Sequence, residues 1–292
     1  MTIRLKHEHG TLEAIELFQL QHHLALPRLK NYLQSKGSRQ CKSIKKISIG
    51  HSTLDDKDYS ALHDILKLSS KVSEVSFYAN HIDTEHLAYL FDSLPNKKLN
   101  TIRFVDNWIG EKVPAHFFSF LKKKKLNVLD LSLNWLRDTG VQCLLAALET
   151  NTDLYELVLS CNDFSLAGMN AVHHFVLKHP SLKILDISYN NLNEECAKEI
   201  AAMITKSQSL THLIIRSNKI GDVGAEYISQ ALKSNNNLKY VDLSDNKISG
   251  TGLSQLVREA ETHDNLEELI LKYNHLLPSM LKPNRSDLHV FY

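Results

Sequence analysis

Residues 182–192 read LKILDISYNNL, an eleven-residue run of the form L-x-x-L-x-L-x-x-N-x-L. Its apolar residues change spacing halfway along. Leu185 and Ile187 alternate with polar neighbours, the period of a short strand with one buried face. Asn190 interrupts the run, and asparagine satisfies backbone groups where a strand turns away.

The run recurs along the chain. Downstream copies are LTHLIIRSNKI (210–220), LKYVDLSDNKI (238–248) and LEELILKYNHL (266–276). Upstream copies are LYELVLSCNDF (154–164), LNVLDLSLNWL (126–136), LNTIRFVDNWI (99–109), VSEVSFYANHI (72–82) and IKKISIGHSTL (44–54). The asparagine slot, written N below, holds Ser52, Asn80, Asn107, Asn134, Asn162, Asn190, Asn218, Asn246 and Asn274. Successive slots are 27 or 28 residues apart throughout, so the nine copies read as one continuous repeat domain over 43–277.

The rest of each unit follows from composition. Six residues after the slot stands Gly140, Gly168, Gly224 or Gly252, and once Cys196. An amphipathic stretch comes next, as in DVGAEYISQALKSNNN (222–237), where Ile228 and Leu232 share a helical face before a polar stop. No single strand–loop–helix unit buries its own apolar face, so the units must stack. Strands then form a parallel sheet on the inside and wider helices the outside, which curves the stack into an α/β horseshoe. The first 42 residues are expected to be a helical cap broken near Pro27, and 278–292, with Pro278 and Pro283, a C-terminal cap or tail.

The nine in-phase motifs resemble the leucine-rich-repeat superfamily, in particular its ribonuclease-inhibitor-like class with helical repeats. The resemblance covers roughly residues 44–276 and implies a solenoid that binds proteins. Short chains of this kind are similar to leucine-rich-repeat effectors that intracellular bacteria inject into host cells. That likeness implies a virulence role in the host cytosol and a host protein as partner.

Composition narrows the classes. With 34 Lys+Arg against 33 Asp+Glu, the chain has no overall attraction to nucleic acid or anionic membranes. No stretch approaches a membrane span or an apolar leader. The four cysteines form no CxxC pair and read as reduced thiols, two or three of them core filler, in a reducing cytosol. No cofactor, metal or catalytic motif is expected, and the chain reads as a monomer. Adjacent histidines such as His173 and His174 point different ways on a helix and read as solvated surface, and the KKKK run at 122–125 as the cationic end of a helix.

Alternation aims the side chains at N−6, N−4 and N−2 out of the concave face and puts N−1 and N+1 on the adjoining rim. Trp108 and Trp135, the chain's two tryptophans, both occupy N+1, in neighbouring repeats. The candidate contact residues are Tyr78, Arg103, Asp106, Trp108, Asp130, Trp135, Asp186, Tyr189, Arg216 and Tyr240, types enriched at binding hot spots among them. Two readings of the tryptophans stay open: a contact patch, or a pair of indoles sealing the solenoid where two repeats are one residue short. Asp130, Asp186 and Asp242 read as solubilising residues, too widely spaced for a catalytic pair.

The leading function is a non-enzymatic scaffold for a protein partner. One alternative is a GTPase-activating role like that of Ran GTPase-activating proteins, with Arg103 as charge stabiliser and Asn107 as nucleotide positioner. The other is a ubiquitin-ligase adaptor using the same surface, for which the residues following LALP at 24–27 leave little room.

Overall fold

A computed structural model describes residues 2–8, 11–18, 25–35, 42–82, 84–94, 98–111, 113, 115–275 and 285–292. The chain divides into two compact units, Met1–Asn134 and Trp135–Tyr292. The first holds β1 (Thr2–Glu8), β2 (Thr11–Phe18), α1 (Ala25–Ser35), β3 (Lys46–Gly50), α2 (Asp56–Leu68), β4 (Glu74–Tyr78), α3 (Thr84–Ser93), β5 (Thr101–Val105), α4 (Ala115–Lys123) and β6 (Val128–Asp130). The second holds α5 (Arg137–Leu148), β7 (Glu156–Val158), α6 (Leu166–Lys178), β8 (Ile184–Asp186), α7 (Glu194–Lys206), β9 (His212–Ile214), α8 (Gly221–Ser234), β10 (Tyr240–Asp242), α9 (Gly250–Glu261), β11 (Glu268–Ile270) and β12 (His289–Phe291).

Within each unit strand order follows chain order, and from β2 onward the strands pair in parallel. The N−5 residues Ile47, Val75, Ile102 and Leu129 in the first unit, and Leu157, Leu185, Leu213, Val241 and Leu269 in the second, are all at most 1% exposed. They meet the buried stripes of the helices, such as Ala225, Ile228 and Leu232 of α8. The N+6 glycines are a packing requirement. A Cβ on Gly224 would lie 2.6 Å from Ile220 and 2.8 Å from Ala197 of the preceding repeat's helix.

The asparagines bind the repeats together. Asn190 Oδ1 accepts from the N–H of Asn162 at 2.9 Å, and its Nδ2 donates to the carbonyls of Leu159 (3.1 Å), Ile187 (3.0 Å) and Ser188 (3.0 Å). Asn80, Asn107, Asn218, Asn246 and Asn274 likewise donate to the carbonyl three residues before the preceding slot. Just before each slot, all nine N−1 residues hold a φ between 50° and 61°, and none is glycine. That conformation costs an L-residue roughly 1–2 kcal/mol. It persists because the N–H it turns outward extends the sheet, as from Tyr189 to the Arg216 carbonyl at 2.8 Å.

A second polar column lies at the helix exits, seventeen residues after the slot. Ser69, Lys124, Asn151, His179, Ser207, Asn235 and His263 are each at most 5% exposed. Asn235 Oδ1 accepts from the N–H groups of Asn237 (2.8 Å) and Leu238 (2.9 Å), and His263 Nδ1 does the same for Asn265 (3.3 Å) and Leu266 (2.9 Å). His179 bonds the carbonyls of Phe175 and Leu148.

Several expectations need correction here. The N-terminal segment is not helical throughout: β1 and β2 form an antiparallel hairpin, and β2 pairs with β3 through Ile15↔Ile47 and Leu17↔Ile49. Leu12 and Ile15 are three apart, as on a helix, but Ile15 and Leu17 alternate and extend the core row of the sheet, which outweighs that local preference. Pro27 sits in the first turn of α1 rather than breaking a helix, where its missing N–H costs nothing. Of the thiols only Cys196 is buried, with Cys161 half-buried and Cys143 exposed; Cys41 lies outside the described residues. His173 is buried against Glu199 (2.7 Å) while His174 faces out. Lys124 is buried beside the Phe120 ring, and burial lowers its pKa to about 8. At the other end β12 pairs with β11, and Arg285 donates to the carbonyls of His263 and Leu266.

Two predictions follow from these columns. Asn190→Ala strands several buried backbone groups at on the order of 1–3 kcal/mol each, so urea unfolding should show a loss of roughly 2–4 kcal/mol. For His263, burial and the nearby Arg285 guanidinium hold the pKa below the ordinary 6.5. Its contribution is therefore whole above pH 6.5 and is lost as pH falls through the lowered folded value. His263→Asn copies Asn235, keeps both cap bonds and should flatten the wild type's fall in melting temperature between about pH 7 and pH 5. A variant whose melting tracks wild type across that range would refute this.

Candidate functional site

The candidate residues lie on the helix-free face of the sheet and on the turns at its strand ends, in both units. In the first unit, strand register puts Ser76, Arg103 and Asp130 in one row and Gly50, Tyr78 and Val105 in the next. Arg103 donates to Glu74 at 2.9 Å, and Glu74 also pairs with Lys46 at 2.7 Å. Beside this cluster a cavity of about 630 Å³ opens over β1–β4, with Ser48 and Ser76 in its lining and Tyr78, Lys6, Glu16 and Glu74 around them. Small residues at successive N−4 positions leave that hollow, a signal present in the sequence but carried only by the absence of bulk.

Trp108 stands at the turn, 64% exposed, with φ 57°. Its indole meets the His81 ring edge-on at 5.0 Å, and His81 is the N+1 residue of the preceding repeat. Asp106, at N−1, has φ 55° and donates its N–H to the Ser132 carbonyl at 3.0 Å. In the second unit Trp135 is 54% exposed with φ 56°. A side chain that seals a solenoid is buried, and neither indole is. The positive φ belongs to the turn, since His81, Asp163 and Lys247 share it at N+1, and the exposure is what sets the two indoles apart.

The aspartates are structural. Asp130 accepts from the N–H (3.0 Å) and hydroxyl (2.6 Å) of Ser132; Asp186 accepts from Ser188 N–H at 2.9 Å and Asp242 from Ser244 N–H at 2.8 Å. Each closes a local turn of the kind Asp favours, which the D-x-S spacing spells in the sequence. Asn107 is wholly buried, its carboxamide bonded to Asn80, Phe77 and Val105, so it has no exposed group for a nucleotide.

The second unit brings two candidates, Arg216 and Tyr189, together with Tyr273. The Arg216 guanidinium carbon lies 5.8 Å from the Tyr189 ring and 5.6 Å from that of Tyr273, a residue outside the candidates legible in the sequence. Tyr273 is 73% exposed and repeats Tyr189 at the N−1 position three repeats on. Tyr240 stacks on His212 at 5.7 Å, and its partial burial, with Asp242 nearby, raises its phenol pKa. Among the described residues no group of three or more histidine, cysteine or acidic side chains is arranged to hold a metal. No helix there is long and apolar enough to cross a membrane.

The family model described as Leucine Rich repeat matches residues 122–145, 178–201, 206–229 and 234–257. No curated protein matches the chain. Among solved structures, a Bacteroides fragilis protein is 15% identical, covering 89% of this chain and 75% of its own, with a TM-score of 0.55. The actin-binding site 2 of leiomodin-1 is 20% identical over 45% of this chain and 77% of its own, with a TM-score of 0.41.

Trp108→Asn places in the turn a residue that tolerates positive φ. It should leave the melting temperature unchanged or raise stability by up to about 1 kcal/mol. Early melting of this variant would return the indole to a structural role.

Proposed function

We propose that this leucine-rich-repeat solenoid, an α/β fold with a helix-free sheet face, is a scaffold that holds a protein partner on that face and the turns beside it. The observation that carries this reading is the set of exposed aromatics at strained turn positions: Trp108, Trp135, Tyr189 and Tyr273. Each offers a large, rigid contact surface of the kind enriched at binding hot spots. A face built on stacked strands is pre-organised and spares a partner the cost of ordering it.

A GTPase-activating role has less support, since Arg103 is tied to Glu74 and Asn107 is sealed in the ladder. The finer reading, an effector acting on a host protein, rests on the resemblance in repeat type and on nothing in the site's geometry.

Affinity capture from host-cell lysate, with the double variant Trp108→Asn/Trp135→Asn beside wild type, tests the proposal. A partner held by wild type and lost by an equally stable variant supports it. Equal capture at equal stability removes the tryptophans from the contact surface.

A further inference from the structure

We infer that Arg216, held between Tyr189 and Tyr273, is a receptor for a carboxylate side chain on the partner protein, an assignment that rests on the scaffold reading above. Arg216 is half-buried, and its Nε is buried without an acceptor. Among the described residues no carboxylate pairs with the guanidinium, whereas Arg103, Arg137, Arg258 and Arg285 pair with Glu74, Asp163, Glu259 and Asp287. A buried cationic donor without a partner is costly, so the arrangement is incomplete as it stands.

The surroundings say what completes it. Two tyrosine faces hold the planar group by cation–π attraction and fix its fork. Just past the adjacent strands the N−2 row supplies Ser188 and Ser244, both short, which leave room around the guanidinium; Ser188 Oγ is also buried without a partner. The acids on this face are already engaged, Asp186 and Asp242 with serine amides and Asp245 with the Ser217 hydroxyl at 2.7 Å. The fork is the group left to bind, and a carboxylate matches it with two parallel charge-assisted bonds. Those same aspartates disfavour a phosphate, whose second negative charge they would repel more strongly than a single one.

The test selects random displayed peptides on the full-length chain. Selected peptides are then resynthesised with each acid replaced by its amide, or by phosphoserine. One acid-to-amide change should weaken binding by about tenfold or more, and Arg216→Gln should produce the same loss without adding to it. Arg216→Lys should fall between, keeping the charge without the fork. If Arg216→Gln melts early, Tyr273→Leu, at a highly exposed position, carries the test in its place and should weaken the same peptides. Peptides bound equally by wild type and Arg216→Gln, and indifferent to their acids, overturn the carboxylate receptor and leave the scaffold reading standing. Failure to select any peptide counts against both. Tighter binding of the phosphoserine forms overturns the carboxylate assignment in favour of a phosphate.

Discussion

Everything in this protein depends on one side chain doing the work of a missing backbone. Where each strand ends and the chain turns toward its helix, several N–H and C=O groups lose their sheet partners inside the core. The slot asparagine supplies one acceptor and two donors there, and in Asn190 all of them are used. A leucine would fill the same space and leave those groups unbonded. The strained N−1 residue, the exposed turn and the aromatics displayed on it are possible because this carboxamide holds the turn from beneath.

The second column, at the helix exits, applies the same logic with less uniform chemistry. His179, Ser207, Asn235 and His263 bond backbone groups there, whereas the polar atoms of Ser69 and Asn151 are buried without a partner. The candidate contact residues lie apart from these two buried columns. The helix-free face carries polar rows that close local turns, and Arg216, whose donors those turns do not engage.

What could be read from the sequence depended on whether a physical requirement fixes residue identity. The slot demands a carboxamide, so the period and the fold were legible from Asn80 to Asn274. The helix-exit column demands only a polar atom, and the series from Ser69 to His263 shows no pattern to the eye. The left-handed N−1 positions were equally silent, because Ala79, Leu133 and Tyr189 carry none of the glycine signal that usually marks such backbone. β2 was misread because Leu12 and Ile15 fit a helix, while the alternation of Ile15 and Leu17 gains its weight from the neighbouring Ile47 and Ile49. At the candidate site the residue types were visible; that Arg103 is paired and Arg216 is not depends on neighbours a whole repeat away.

The slot carboxamide also gives the stack a direction. Its long-range bonds reach backward, to the N–H of the preceding slot and the carbonyl before it, as from Asn218 to Asn190 and Ile187. A repeat is thus clamped by the one that follows it. Ser52 fits this rule: β2 before it carries no copy of the motif to clamp, and a hydroxyl bonded to the nearby Gly50 carbonyl is sufficient. The N−1 amides reach the other way, as from Ser217 to the Ser244 carbonyl, so neighbouring repeats are fastened in both senses at one turn. An interior repeat loses bonds whichever neighbour leaves it.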